Sequence, residues 1–449
     1  MDIIKSLKFN LVLFAAKAIA GTMHLCKKEA SALPGMIAMK FDKDFLAGTK
    51  KYCGKKIITV TGTNGKTTTS SLLADILRTG GHAVIHNRKG ANMPQGIVTA
   101  LAEGINPFKK ADYFVLENDE AYVSRIYDEL KADYLVVTNL FQDQTDRYGG
   151  MDLTAKKIRE AVDKNPDLTV VLNADDPVLQ TLYTGKMLTF GLDSIEFENE
   201  KPKQEAVGEI VYCPCGKQLN YTKRFYSHIG HYSCECGFCR RTPDIIVSAK
   251  LFNGYSELKI KYNGKEYNFT SHLPGIYNLY NATGAIGLAL ALGAETSDIQ
   301  KALDNYKAVF GRANRFELRG KEVFVQLIKN PAGANEAVHA VCGDDNAKLL
   351  IMVNNEYADG RDVSWLWDTD FEALKDYKNT IIAAGNCAYD VAVRLKYANV
   401  DGAKVKIIPD VKEALETALN SLSATEKLNV LPTFSTLAAM QELIKKKMI

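Results

Sequence analysis

The sequence predicts an α/β protein with two parallel-sheet domains in succession, and three observations carry the prediction. Apolar runs of strand length alternate with helical patterns; the first run opens into a Gly- and Thr-rich loop and a helix; a second series of runs begins near residue 311. The runs are IITV (57–60), AVIHN (83–87), YFVLE (113–117), YLVVTN (134–139) and LTVVLNAD (168–175), then EVFVQLI, KLLIMVN, NTIIAAG, KVKIIP and KLNVLP. Val- and Ile-rich runs without polar alternation suit strands covered on both faces, and helices between them supply the cover. At 449 residues the chain has room for two or three domains, each with its own core.

Residues 1–45 precede the first strand as an amphipathic helical segment. Lys5, Lys8 and Lys17 interrupt its apolar runs, which argues against a membrane span. Its basic character suits docking on the next domain, the favoured reading, or peripheral contact with an anionic membrane surface. No secretory cleavage pattern follows, so the expected location is the cytoplasm, at most the inner face of the plasma membrane. With 56 basic and 53 acidic residues the net charge is +3, and bulk charge gives nucleic-acid binding no support.

Residues 46–310 read as the nucleotide-binding domain. In Thr61-Gly62-Thr63-Asn64-Gly65-Lys66-Thr67-Thr68-Thr69 the glycines allow backbone N–H groups to turn around phosphate oxygens, and the following helix adds the positive end of its dipole. Lys66 is placed to reach the β- and γ-phosphates, and the Thr67 hydroxyl to ligate Mg²⁺. The spacing is G-x-x-G-K-T, shorter than the common P-loop, whose first glycine would fall at Val60.

Within that domain, residues from about 205 to 245 form a small insertion carrying Cys213, Cys215, Cys234, Cys236 and Cys239. Nine cysteines in a chain expected in the cytoplasm point to metal or catalysis where they cluster. Two pairs 19 residues apart suit a structural zinc ribbon on Cys213, Cys215, Cys234 and Cys236, with Cys239 as the substitute ligand. Four thiolates leave no open position for catalysis. His228 and His231 read as ribbon packing, and Cys26, Cys53, Cys342 and Cys387 as buried thiols. Asn-Gly pairs at 253 and 263 mark hairpin turns, and IYNLYNATGAIGLALALG marks one buried helix.

The short loop resembles that of the Mur ligase and folylpolyglutamate synthetase family, and further segments match the family in order. The resemblance implies a Mur ligase-like central parallel-sheet ATPase domain with a zinc-ribbon insertion, followed by a C-terminal α/β domain at 311–449. In VLENDEA it implies a Mg²⁺-binding glutamate, Glu117 with Glu120 in reserve. VTNLFQDQTDRYG resembles the family's N-x-x-x-D-H-x-D loop, with Gln144 at the histidine. Asn278 and Asn281 match its adenine-contacting asparagines, Arg312 its phosphate-reaching arginine, and Lys156 lies near a lysine that some members carbamylate.

Residues 351–368, IMVNNEYADGRDVSWLWD, are similar to the C-terminal domain of the family's MurT-type branch. That branch implies amidation of the D-glutamate α-carboxyl of the lipid II stem peptide through an acyl phosphate. It also implies ATP and Mg²⁺ as cofactors and a GatD-like glutaminase as partner. Asp359 or Asp362 then completes the partner's Cys-His pair, Asp359 being preferred; Asp362 also suits a helix cap. Cys342 and Cys387 sit in no strand-to-helix Gly-x-Cys-x-Gly elbow, so glutamine hydrolysis is expected on another chain. The competing readings are an amino-acid-adding ligase and an ATP-binding scaffold for a glutaminase.

Overall fold

The computed structural model describes residues 3–26, 31–87, 91–143, 150–182, 185–198, 211–252, 254–307, 311–312 and 314–449. They divide into two compact units. The first gathers Met1–Leu140, Met151–Asn199 and Ile210–Lys307; the second is mainly Ala308–Ile449, with the short segment Phe141–Gly150.

The first unit is built on a nine-stranded sheet. Its strands are β1 (Cys53–Thr61), β2 (Val84–His86), β3 (Ala111–Glu117), β4 (Tyr134–Val137), β5 (Thr169–Asn173), β6 (Met187–Phe197), β9 (Ile245–Leu251), β10 (Ser256–Tyr262) and β11 (Lys265–Ser271). The order is β11-β10-β9-β6-β5-β4-β1-β3-β2, parallel from β2 across to β9 and antiparallel for the last two strands. All five expected runs became strands; burial is unbroken at Ile57–Val60 and Val170–Leu172, where helices cover both faces, whereas the short edge strand β2 buries only Ile85. β10 and β11 join through Asn263-Gly264, both at positive φ (49° and 71°), the conformation of a type I′ hairpin turn. Asn253 of the other Asn-Gly pair lies outside the described residues.

The N-terminal helix α1 (Ile3–Leu25), with α2 (Leu33–Phe41) and α3 (Phe45–Thr49), packs into this unit. Phe9, Leu13 and Ala16 of α1 join the core cluster of β1, β3 and β4, and Phe9 stacks on Phe45 at 4.8 Å. By length and composition Lys5–Leu25 could cross a membrane; its burial against the sheet domain is the packing that the favoured reading expected.

Two strands that neither the apolar runs nor the Asn-Gly turns announced complete the sheets: β6, and β12 (Asn314–Leu318) in the second unit. β6 buries only Thr189–Leu192 and then shifts register against β9, so its pattern is broken. The insertion leaves the sheet after β6 and returns to it at β9, carrying the antiparallel hairpin β7 (Asn220–Tyr226) and β8 (Ile229–Ser233).

The second unit holds a six-stranded sheet, β12-β13-β17-β14-β15-β16, with β13 (Lys321–Val325), β14 (Ala347–Met352), β15 (Ile381–Ala384), β16 (Val405–Ile407) and β17 (Lys427–Pro432). Only β12 is antiparallel to its neighbour. Helices cover both faces and give two separate cores, one around Leu349, Ile351 and Phe371, the other around Leu350, Met352 and Leu415.

Candidate functional site

In the first sheet β1 has β4 on one side and β3 on the other, so the chain changes direction at β1. Ligands of open α/β sheets settle beyond the carboxyl ends of strands at such a switch point. The phosphate loop occupies that place, leading into α4 (Lys66–Thr79). Gly62 (φ +127°) and Gly65 (φ +85°) adopt conformations closed to most side chains. A Cβ at Gly62 would meet Thr138 Oγ1 at 2.3 Å, and one at Gly65 would meet Asn281 Oδ1 at 1.9 Å. The loop is thus pressed between two supports. Asn139 accepts from Asn64 N at 2.9 Å and from Thr63 N through its carbonyl at 2.9 Å, while Thr138 Oγ1 donates to Asn64 O at 2.7 Å.

On the other flank stands α8 (Ile276–Ala291), so numbered after α5 (Pro94–Gly104), α6 (Val123–Glu129) and α7 (Met151–Asp163). Asn278 and Asn281 are both buried on α8, Asn281 donating to Asn278 Oδ1 at 3.2 Å, and Thr69 Oγ1 donates to Asn281 O at 3.4 Å. The structure therefore brings the expected adenine and phosphate residues together.

Lys66 is 8% exposed. Its Nζ donates to Glu120 Oε2 at 2.8 Å, to Thr63 O at 3.2 Å and to Gly62 O. Burial alone would lower its pKa, but Glu120, Asp119 and Glu117 outweigh burial and raise it above the ordinary lysine value. The two acids in contention for Mg²⁺ have different surroundings: Glu120 pairs with Lys66, whereas Glu117 ends β3 with its Oε1 accepting from Asn92 at 3.2 Å. Asn87 clamps the Glu117 backbone, accepting from its N at 2.7 Å and donating to its O at 2.8 Å. A carboxylate only 2% exposed whose charge acts on Lys66 of the loop, with the buried Thr67 next to that lysine, fits a hard divalent cation.

Thr138, Asn139, Asn87 and Asn92 had no assigned role in the sequence. Their signal was position, since Asn87, Thr138 and Asn139 follow the carboxyl ends of parallel strands. Three other expectations fare differently. Lys156 is exposed on α7 and shares a cavity of about 580 Å³ with Met151, Pro177, Cys213 and Phe238, so it is not brought to the phosphate loop. Gln144 lies outside the described residues; Asp143, in the same motif, accepts from Lys329 at 2.6 Å within the second unit. Arg312 also belongs to the second unit, its backbone N donating to Asn314 Oδ1 at 2.9 Å.

In the insertion, Cys213, Cys215, Cys234 and Cys236 converge with all four sulfurs within 4.8 Å of one another. Sγ–Sγ distances of 3.3 Å (213–236) and 3.6 Å (215–234) approach the ~3.8 Å edge of a tetrahedron with 2.3 Å metal–sulfur bonds. Each pair folds the same way. Gly216 N donates to Cys213 O and Cys213 N to Lys217 O; Gly237 N donates to Cys234 O and Cys234 N to Phe238 O. Gly216 (φ +84°) and Gly237 (φ +93°) permit these turns, which is why one residue between the cysteines suffices. Cys239 stands outside the cluster. His228 is fully buried with Nε2 3.4 Å from Asp176, and His231 Nε2 lies 2.7 Å from Leu192 O, so both pack. Of the isolated thiols only Cys387 is buried; Cys26 is exposed because it follows the end of α1, and Cys53 and Cys342 are half-buried.

Asp175, whose importance the sequence did not reveal, ties the insertion to α8. Its carboxylate accepts from Arg240 Nε at 2.5 Å, Tyr280 OH at 2.7 Å and Leu192 N at 2.7 Å. Tyr280 directly precedes Asn281.

In the second unit, Asp359 is 5% exposed and accepts from Ser435 N at 2.8 Å and Ser435 Oγ at 2.6 Å. Asp362 is exposed and, although Val363 and not Asp362 holds the cap position of the 3₁₀ turn Ser364–Asp368, it accepts from Ser364 N at 2.8 Å, which lowers its pKa. Burial pushes the Cys387 thiol up to about 11, the reverse of an activated nucleophile.

Residues 60–289 match the Mur ligase middle domain, and residues 327–437 the MurT ligase C-terminal domain. The chain belongs to the MurT branch of the Mur ligase family. It is 36% identical to the MurT subunit of lipid II isoglutaminyl synthase (glutamine-hydrolyzing) of Streptococcus pneumoniae, over 93% of both chains. It is 34% identical to that subunit of Staphylococcus aureus, over 93% of this chain and 94% of the other. Among solved structures, the pseudomurein peptide ligase type C of Methanothermus fervidus superposes with a TM-score of 0.71 at 22% identity, covering 90% of this chain and 81% of that one. MurF of Thermotoga maritima, solved in complex with ADP, gives a TM-score of 0.63 at 13% identity over 91% and 84%. These likenesses establish the Mur ligase fold for this MurT-branch chain.

Proposed function

We infer that this chain is the synthetase subunit of a lipid II isoglutaminyl synthase, an ATP-dependent ligase of peptidoglycan synthesis. The observation that carries the reading is the 34–36% identity over 93% of the chain to MurT subunits of that enzyme. The α-carboxylate of D-glutamate in the stem peptide attacks the γ-phosphorus of ATP, ADP leaves, and ammonia displaces phosphate from the acyl phosphate to give D-isoglutamine.

The N–H groups of the Gly62–Thr68 loop hold the phosphates, and Lys66 neutralises charge that develops on the transferring group. Asn278 and Asn281 border the adenine side. Thr67 and Glu117 would hold Mg²⁺, which would neutralise phosphate charge when bound. Zinc on Cys213, Cys215, Cys234 and Cys236 would be structural, stabilising a hairpin whose buried cluster among the described residues is Cys213, Leu219, Tyr232 and Cys234. The reaction is cytoplasmic, where ATP is made and thiols stay reduced.

Ammonia comes from a GatD-like glutaminase subunit. Its docking face is supported by exposed Tyr357, Trp367, Tyr389, Val393 and Tyr397, a concentration of aromatic anchors. Trp367 and Tyr397 pack edge-on at 5.4 Å, and α11 (Ala388–Tyr397, counted after α9, Thr296–Asn305, and α10, Pro331–Val341) starts just after Asn386, which accepts from Asn355 N at 3.0 Å and donates its own N to Asn354 Oδ1 at 2.8 Å. Asp359, already oriented by Ser435, suits the aspartate that fixes the partner's histidine; Asp362 is engaged by Ser364 N.

The test is purified chain with ATP, Mg²⁺, lipid II and ammonium chloride, read by mass spectrometry. Conversion of carboxylate to amide with no amino acid present is expected; addition of an amino acid, or no ATP-dependent product, refutes the reading.

A further inference from the structure

We propose that the outer face of α1, with exposed residues of α2, is a docking surface for an anionic lipid bilayer. The proposal rests on the lipid-linked substrate inferred above and names the element that brings the enzyme to it. At 100° per residue α1 carries two opposite apolar faces. Phe9, Leu13, Ala16 and Ala20 are at most 2% exposed and face the domain. Leu7 (62% exposed), Leu11 (63%), Phe14 (57%) and Leu25 (87%) recur at i, i+4, i+7 and i+18 on the opposite side. A helix that only packed on its own domain would need the first face alone. Next to it, α2 leaves Leu33, Met36 and Phe41 exposed.

Charge selects the occupant. Residues 3–51 contain nine lysines and three acids, although the whole chain is nearly balanced. Lys5, Lys8, Lys40, Lys43 and Lys50 are exposed. Two copies of so basic a face repel each other, whereas anionic headgroups complement it. The helix lies on the bilayer and does not cross it, since crossing would break the Phe9–Phe45 stack, the Lys8–Asp42 pair (3.5 Å) and the Lys17 Nζ bond to Glu103 O (2.8 Å).

The experiment sediments the full chain with vesicles of phosphatidylglycerol and phosphatidylcholine, compares pure phosphatidylcholine, and repeats both with Leu11→Glu/Phe14→Glu. Wild type should bind the anionic vesicles. The variant should bind at least about tenfold more weakly, as expected for losing buried leucine- and phenylalanine-sized groups. Both should share one melting temperature and the same rate of amidating a water-soluble, short-chain lipid II with ammonia, because neither side chain touches the core or the phosphate loop. Wild type that stays in the supernatant, a variant that binds equally, or a wild-type dimer that the variant dissolves would overturn the proposal. Absence of amidation in both proteins would instead count against the enzymatic reading, leaving the vesicle result to stand by itself.

Discussion

Lys66→Met is the perturbation on which the phosphate-loop assignment turns. It removes a cation whose side chain is 9% exposed and leaves Glu120, 7% exposed, beside Asp119 and Glu117 with its charge uncompensated. Breaking a buried pair in this way costs about 3–5 kcal/mol. At ~2–4 °C per kcal/mol for a domain of this size, the melting temperature should fall by roughly 10 °C. Ammonia-driven amidation should fall by at least ~10²–10³, the usual loss for one electrostatic contact to a transition state. The double variant Lys66→Met/Glu120→Gln separates the two effects: it should recover most of the thermal loss and none of the activity. Because the folded pKa of Lys66 is raised, its contribution is complete below about pH 10.4 and is lost only as pH rises through the higher folded value. The destabilisation measured by differential scanning fluorimetry should therefore be equal at pH 7 and pH 9. Ammonia-driven turnover within tenfold of wild type, or a double variant no more stable than the single one, would refute the reasoning.

Gly65→Ala places a Cβ 1.9 Å from Asn281 Oδ1 at φ +85°, so the apparent affinity for ATP should weaken by at least about tenfold, the equivalent of ~1–2 kcal/mol of left-handed strain; an unchanged KM for ATP contradicts the cradle. Asp359→Asn should lower glutamine-driven amidation by ~10⁴ and spare the ammonia-driven reaction, whereas Asp362→Ala should cost only its bond to Ser364 N, ~1 kcal/mol, seen as a small thermal shift. The opposite pattern would transfer the role to Asp362. Cys234→Ser should abolish zinc in elemental analysis and expose the amides of β7 and β8 to hydrogen exchange while those of β1 to β5 stay protected; metal retained in full would remove Cys234 from the ligand set.

Much of the fold was legible because its strands are buried on both faces and therefore announce themselves locally, as IITV and YLVV do. β6 and β12 did not, since β6 is buried over only part of its length and β12 alternates at an edge. The phosphate loop was legible for a similar reason: Gly62, Gly65, Lys66 and Thr67 act through backbone conformation and sequence-local reach. Their supports were not. Thr138, Asn139 and Asn87 matter because parallel pairing sets β4 beside β1 and β2 beside β3, a relation absent from any one segment.

The sequence by itself determined the nucleotide loop, the order of the domains and the five-cysteine cluster, for each is a property of residues close together along the chain. Only the tertiary structure decided that Glu120 answers Lys66 while Glu117 pairs with Asn92, that Asp175 fastens the insertion to the helix of Asn281, and that Cys239 stands outside the four-sulfur cluster. Those choices depend on burial and on partners up to 105 positions distant, as Asp175 and Tyr280 are, where the desolvation of a charge makes one pairing far more favourable than another.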